Sequence, residues 1–312
     1  MLEATSSRPL RLAFVGQSTF FEACVLEPGV DPRLEPRFDE FRAGGDAGAL
    51  LASLQRFDPD VVVVFRPEII PARAFANLRA RTLGFLTEPL PRTADGAGAT
   101  HADLERRLWE LGRVDASNFD RIVAFDPLIA DTADQVLPVW RAVPIPVSDR
   151  YYRPVAPPDP TSPPLFVGRS TEHRERLLTP SKHRFDVLHL AFGVDAARLE
   201  RLMDEHWLAI NAHNEPYPSF ENRVCLHLAA GHLVLSETLS PSHGLEPDID
   251  FLEFRGAEHL ERLLAALQRD ATLWHAVRVR GRRKAEQFRA SRVYPRIVAD
   301  LIADVRAFGS PR

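Results

Sequence analysis

The stretch that most constrains the fold runs from Leu208 to Glu237, LAINAHNEPYPSFENRVCLHLAAGHLVLSE. It opens with an apolar run, Leu208–Ile210, that ends in Asn211 and His213. Pro216 and Pro218 then bound a turn, and the pattern predicts a helix from about Ser219 to Ala230. Gly231 closes that helix, because glycine takes the left-handed cap without steric cost. His232–Ser236 is a second apolar run, so the unit reads strand–loop–helix–strand, a parallel crossover. In such a unit the loop after the first strand and the start of the helix face the ligand crevice. Free amides and the helix dipole there favour an anion such as a diphosphate. Asn211, His213, Glu221, Asn222 and Arg223 all lie at that end. A buried helix in any α/β domain would explain Gly231 and the apolar flanks. It does not explain so many polar groups at one end, so the site reading is preferred.

The same alternation recurs along the chain. Leu10–Gly16 (LRLAFVG) is a hydrophobic strand running into a glycine turn. It lacks a following G-x-G-x-x-G, and no Walker A lysine occurs anywhere. Ala47–Phe57 reads as an amphipathic helix and Asp60–Phe65 (DVVVVF) as a central strand covered on both faces. Pro71–Arg81 is predicted helical and Leu83–Thr87 a strand, after which Glu88 falls at the carboxyl end, where parallel sheets bind ligands. Glu88 reads equally well as a solvated loop acid or a cap. Thr93–Thr100, with Gly96 and Gly98, reads as a loop open to movement. Ala102–Leu111 follows as a helix and Phe119–Phe125 as a strand, and Asp126 fits an N-cap. Ala142–Val147, with two prolines, suits an edge strand or an extended segment.

Arg153–Pro164 (RPVAPPDPTSPP) predicts a stiff, extended linker rather than packed structure. A second count then restarts with Leu165–Gly168, a helix from His173, a strand over Phe185–Ala191 and a helix over Ala196–His206. Arg174 follows the Gly168 turn, where arginine can bind a phosphate through two hydrogen bonds, although a surface pair with Glu172 or Glu175 stays open. Beyond Glu237 come a loop over Ser240–Asp250, a short strand at Phe251–Phe254, and helices over Glu258–Leu267, Leu273–Phe288 and Tyr294–Phe308. The basic run Arg278, Arg280, Arg282, Arg283 and Lys284 reads as a solvated face rather than a nucleic-acid patch, since no aromatic platform accompanies it.

At 312 residues the chain has room for about two domains. The boundaries read as 1–152, a linker over 153–164, 165–290, and a final helix over 291–312. A net charge of −4 offers no field for nucleic acid. Cys24 and Cys225 lack metal-ligand spacing and suit the reduced thiols of a cytoplasmic protein. No apolar run approaches the ~20 residues of a membrane span, and the first residues lack a signal-peptide core. Peripheral contact with a membrane stays open.

The run NRVCLHLAAGHLVLSE resembles the C-terminal segment of spore-maturation-type glycosyltransferases, which belong among the group 1 glycosyltransferases of GT-B architecture. The resemblance rests on Asn211 and His213, on Asn222 and Arg223, on the Ala229-Ala230-Gly231 cap and on Glu237. It extends back to Phe166-Val167-Gly168 and Arg174. It implies an α/β chain of two Rossmann-like domains with a cleft between them and a C-terminal helix that returns to the N-terminal domain. It further implies a nucleotide-sugar donor held by Gly168, Arg174, Asn211, Glu221, Asn222, Arg223 and Glu237, and an unidentified acceptor on the N-terminal half. Glu88 and His213 are the catalytic candidates, and neither a metal ion nor a cofactor is implied. Ser242, His243 and Gly244 fall where a covering loop would touch the sugar, though ordinary loop composition explains them as well. The chain departs from the pattern at Cys225-Leu226, where the family places Phe-Glu and the glutamate would hold the donor ribose. Two alternatives therefore stand beside sugar transfer: a degenerate member that only binds, and a nucleotide-sugar epimerase of the same architecture.

Overall fold

The computed structural model describes residues 8–92, 102–192 and 194–311, so the loop expected over Thr93–Thr100 lies outside the described residues. The chain forms two compact units, Met1–Asp149 with Ala290–Arg312, and Arg150–Arg289. In the first, β1 (Leu10–Gly16), β2 (Leu34–Glu40), β3 (Val61–Phe65), β4 (Arg81–Leu86), β5 (Arg121–Ala124) and β6 (Arg141–Ala142) form a parallel sheet. Its order is β2-β1-β3-β4-β5-β6. The wholly buried run VVVVF of β3 lies between β1 and β4, as a continuous β-branched strand must. Helices α1 (Ser18–Phe21), α2 (Ala47–Phe57), α3 (Ala102–Leu111) and α4 (Ala130–Asp134) belong to this unit. Asp46 caps α2 by accepting from the Ala49 amide at 3.0 Å.

Two features of this unit differ from the sequence expectation. The strand β2, LEPRFDE, has no apolar pattern and carries Pro36; it lies at the sheet edge, where a missing amide is tolerated. The helix expected over Pro71–Arg81 is instead a series of turns leading into β4. Arg73 takes a left-handed φ of 59°. Distant side chains hold the turns: Asn118 accepts from the Phe75 amide and donates to the Pro71 carbonyl, each at 2.9 Å, and Asp115 accepts from the Arg73 amide at 2.7 Å.

The second unit holds β7 (Leu165–Val167), β8 (Leu188–Leu190), β9 (Leu208–Asn211), β10 (Leu233–Ser236) and β11 (Leu252–Glu253) in the order β11-β10-β9-β7-β8. All neighbouring strands are parallel. Its helices are α5 (Glu172–Phe185), α6 (Ala196–Glu205), α7 (Asn222–Ala229), α8 (Ala257–Arg269) and α9 (His275–Lys284). The proline-rich segment Arg153–Pro164 is extended and exposed or half-buried over most of its length, and hydrogen bonds tie it to the second unit. Its carbonyls at Arg153, Ala156 and Asp159 accept from Arg282, Arg278 and Trp207, and the Arg153 amide donates to Ala229. Prolines cannot pair as a strand, so the carbonyls of this segment find side-chain donors instead.

The last helix, α10 (Ala290–Phe308), belongs to the first unit, as expected of a returning C-terminal helix. Tyr294, Ile297, Val298, Leu301 and Val305 form one helical face buried in the same core as Phe14 and Val63. Tyr294 meets Phe14 edge-on, with ring centroids 4.7 Å apart, and its hydroxyl donates to the Cys24 carbonyl at 2.7 Å. Cys24 and Cys225 are both buried free thiols. No helix among the described residues is long and apolar enough to cross a membrane.

Candidate functional site

Strand β7 is where the second sheet changes direction: β8 follows on one side, and β9, β10 and β11 run off on the other. Ligands of open parallel sheets bind beyond the carboxyl ends at such a switch point. Two arginines converge there. Arg174 lies in the first turn of α5, which Thr171 caps, and Arg223 lies in the first turn of α7. Their guanidinium carbons stand 5.3 and 5.2 Å from the centroid of the Phe166 ring. Gly168, at the end of β7, leaves them room, since a Cβ there would be 3.3 Å from Arg174 Nη1, Arg223 Nη2 and Phe166 Cζ.

Both guanidinium groups are anchored to one backbone atom, the Ala212 carbonyl oxygen. It accepts from Arg174 Nε and Arg223 Nη1, each at 3.0 Å. Arg174 also donates to the Arg169 carbonyl at 3.1 Å and to Asn214 Oδ1 at 3.3 Å. The remaining nitrogens face Glu221: Arg174 Nη2 is 3.4 Å from Oε1 and Arg223 Nη2 is 2.9 Å from Oε2. Burial, followed by the neighbouring Arg223 charge, pushes the Arg174 guanidinium down to about 9, still charged at neutral pH. Burial alone would raise the Glu221 carboxyl, but Arg223, Arg174 and His213 together hold it below its ordinary value.

Glu237 organises the adjoining strand ends. Its carboxylate accepts from the His213 amide at 2.7 Å and from His173 Nε2 at 3.0 and 3.1 Å, so it joins β9, β10 and α5. The sequence reading did not assign His173 to the site; its place immediately before Arg174 was the available signal. His213 is 3% exposed and both its ring nitrogens are engaged. Nε2 donates to the Thr238 carbonyl at 2.8 Å, and Nδ1 accepts from the Ser219 hydroxyl at 3.2 Å. Burial lowers its pKa, and the ring pins two loops together rather than standing ready to move a proton. Helix α7 begins at Asn222, so Ser219 belongs to the entering loop and not to the helix start expected for it. Asn211, fully buried, donates to Ser236 Oγ at 2.9 Å.

Other expected residues lie elsewhere or are otherwise occupied. Glu88 belongs to the first unit, where it pairs with Arg107 and stands 3.8 Å from Arg66. Its carboxylate is part of a charge network with Glu68 and Glu110. His243 packs edge-on against Phe220, with ring centroids 4.5 Å apart. Leu226 is 6% exposed on α7. Among the described residues no cluster of histidine, cysteine and carboxylate side chains is arranged to hold a metal ion.

Neither a family model nor a curated protein sequence matches the chain. Solved structures do. Sucrose-phosphate synthase from Thermosynechococcus elongatus aligns with a TM-score of 0.59 at 13% identity, over 96% of this chain and 99% of its own. HepE of Anabaena, solved with UDP-glucose, aligns at 0.58 and 12%, over 94% and 100%. An alpha-glucosyltransferase in complex with UDP-glucose and DNA containing an abasic site aligns at 0.57 and 12%, over 95% and 100%. The fold is that of the GT-B glycosyltransferases. At this coverage the alignments run through both units.

Proposed function

We propose that this GT-B chain is a glycosyltransferase that draws a sugar from a nucleotide-sugar donor bound to its second unit. The observation that carries the reading is the pair Arg174 and Arg223. The two guanidinium groups are anchored on Ala212 and converge over Gly168 at the carboxyl ends of a parallel sheet. Sugar transfer leaves a nucleoside diphosphate whose developing charge must be stabilised. Fixed cations in a partly buried site do this without reorganising. The first turns of α5 and α7, which carry these arginines, add the positive ends of two helix dipoles. That solved structures of the same fold hold UDP or UDP-glucose supports this ligand class.

In this reading the arginines supply the positive charge that a metal ion would otherwise bring, and no further cofactor takes part. His173 and Glu237 hold the strand ends beside the phosphates, and the first unit takes the acceptor. Leu226 offers no acceptor to the ribose hydroxyls, so the donor is held chiefly through its diphosphate. Leu226, together with the engagement of Glu88 by Arg107 and of His213 by Thr238, favours a second reading, a member that binds the ligand without transferring sugar.

Thermal unfolding with UDP and with UDP-glucose tests the proposal, since a ligand at 100 times its dissociation constant adds about 2.7 kcal/mol of stability. A shift with UDP-glucose, together with slow release of UDP and glucose in the absence of acceptor, is expected of the transferase. A shift without release points to the binding protein. Conversion of the sugar with no release of nucleotide points to an epimerase, and no shift with any nucleotide removes the donor reading.

A further inference from the structure

We infer that Glu221 is a built-in counter-anion occupying the phosphate position between Arg174 and Arg223, and that it makes the site select diphosphates over single phosphates. The inference rests on the donor reading for the nature of the physiological ligand, but the geometry behind it is independent. Each arginine has one nitrogen fixed on the Ala212 carbonyl, and each turns a further nitrogen towards a different oxygen of the same carboxylate, at 3.4 and 2.9 Å. Two oxygens of one tetrahedral phosphate would take those same directions. Glu221 is the N-cap residue of α7, yet its side chain makes no capping hydrogen bond; its carboxylate faces the two arginines and the Asn214 amide instead. Access is from the Glu221 side: its side chain is 23% exposed, against 2% for Arg174.

Charge decides the selectivity. Two guanidinium groups against one carboxylate leave a single excess positive charge at the site. A single phosphate that displaces Glu221 exchanges one compact anion for another and gains little Coulomb energy. A diphosphate brings more negative charge and a second set of oxygens, which can also reach the amides at the start of α7. The displaced Glu221 side chain then turns towards solvent. It acts as a specificity-determining residue and not as a ligand contact.

Calorimetric titration of the full chain with orthophosphate, pyrophosphate and UDP tests this, using native protein, Glu221→Gln and Glu221→Asp. Removing the charge in Glu221→Gln should tighten pyrophosphate about tenfold and make orthophosphate binding measurable, so that the two affinities draw together. Unchanged or weaker pyrophosphate binding in folded Glu221→Gln overturns the inference. So does the absence of pyrophosphate binding in every variant. Glu221→Asp keeps the counter-charge and decides the matter if the glutamine variant does not fold. Its shorter side chain withdraws the carboxylate from the arginines, and pyrophosphate should bind about threefold tighter; equal or weaker binding overturns the inference here too. If pyrophosphate responds as expected while UDP and UDP-glucose bind no variant, the counter-anion stands and the donor reading fails. If UDP binds the native chain and Glu221→Gln weakens it, the donor reading stands and the counter-anion fails.

Discussion

Arg174 and Arg223 share an anchor and a counter-ion, but their burial assigns them different consequences. Arg174 is 2% exposed and bonds to two backbone carbonyls, an amide oxygen and a carboxylate. Arg174→Ala takes one donor from each of these acceptors and removes a buried cation, and is expected to cost about 3–5 kcal/mol of stability, the range for breaking a buried pair. Arg174→Lys should recover little of it, because a single ammonium cannot reproduce the planar fork. Arg223 is more exposed, so Arg223→Ala should chiefly weaken UDP binding, by about 1.5–3 kcal/mol, the range for a charged hydrogen bond. Denaturant unfolding and calorimetry on the two alanine variants separate these outcomes; equal effects on stability would show the asymmetry to be wrong. The positions of Gly168 and Glu237 just past strand ends, and of Glu221 and Arg223 at the start of α7, were legible in the sequence from the apolar runs and the helix pattern between them. The engagement of His213 was not legible. Its partners Thr238 and Ser219 are ordinary residues, and only the path of the two loops brings them to the ring. Glu88 was placed correctly after its strand, yet the arginine beside it comes from α3, which no local pattern connects to β4.

Helix α7 and strand β10 are joined by Gly231 with a φ of 75°, the left-handed cap that the sequence announced. A second glycine gave no such signal. Gly281 in α9 is buried, and a Cβ there would collide with the Asp250 carbonyl oxygen and lie 2.7 Å from Leu228 Cδ2. Gly281→Ala, normally favourable in a helix, is therefore expected to destabilise the second unit by about 1–3 kcal/mol, the cost of overpacking, as read from denaturant midpoints. A stabilised variant would show that α9 can move away from α7. The same α7–β10 turn holds a buried histidine pair, with His227 Nδ1 3.1 Å from His232 Nδ1. His232 Nε2 donates to the Met203 carbonyl at 3.0 Å, so His232 Nδ1 accepts and His227 Nδ1 donates. Burial pushes His232 down to about 4, and His227 well below its ordinary value. Below pH 6.5 the unfolded chain takes up protons at these rings that the folded chain refuses. Their contribution is thus fully present above pH 6.5 and is lost as pH falls towards about 4, with His232 alone accounting for roughly 3 kcal/mol. Unfolding measured across that window should show stability falling with acidity, and histidine ring resonances should show both rings neutral at pH 5.5 in the folded protein. Elements with their own periodicity, such as β1, β3, α2 and α3, could be read directly. The turns at Pro71–Arg81 and the strand β2 could not, because Asn118 and Asp115 impose the first and pairing with β1 imposes the second.

At the scale of the whole chain, the two units differ in how they are assembled from sequence. The second is one continuous run, Arg150–Arg289, whereas the first needs Ala290–Arg312 returned to it. Periodicity alone announced the final helix; its destination came only from the resemblance, since nothing local says which core a terminal helix will join. The buried face of α10 contributes Tyr294, Ile297, Val298, Leu301 and Val305 to the core of the first unit. At roughly 1.5–3 kcal/mol for each fully buried large apolar side chain, this face rivals the entire net stability of an ordinary domain, about 5–15 kcal/mol. Ion pairs between Arg121 and Asp304 and between Arg141 and Asp300 tie the helix to β5 and β6. They add orientation more than energy, since partly exposed pairs are worth little. A chain of residues 1–149 should therefore fail to fold cooperatively, and addition of a peptide spanning 290–312 should restore a sigmoidal thermal transition. Residues 150–289, which lose no piece of their own core, should fold alone and retain pyrophosphate binding at Arg174 and Arg223. Circular dichroism melts of the two fragments, with and without the peptide, decide the matter. A cooperative melt of residues 1–149 alone would show α10 to be an accessory, and an unfolded 150–289 fragment would show that the second core depends on the first.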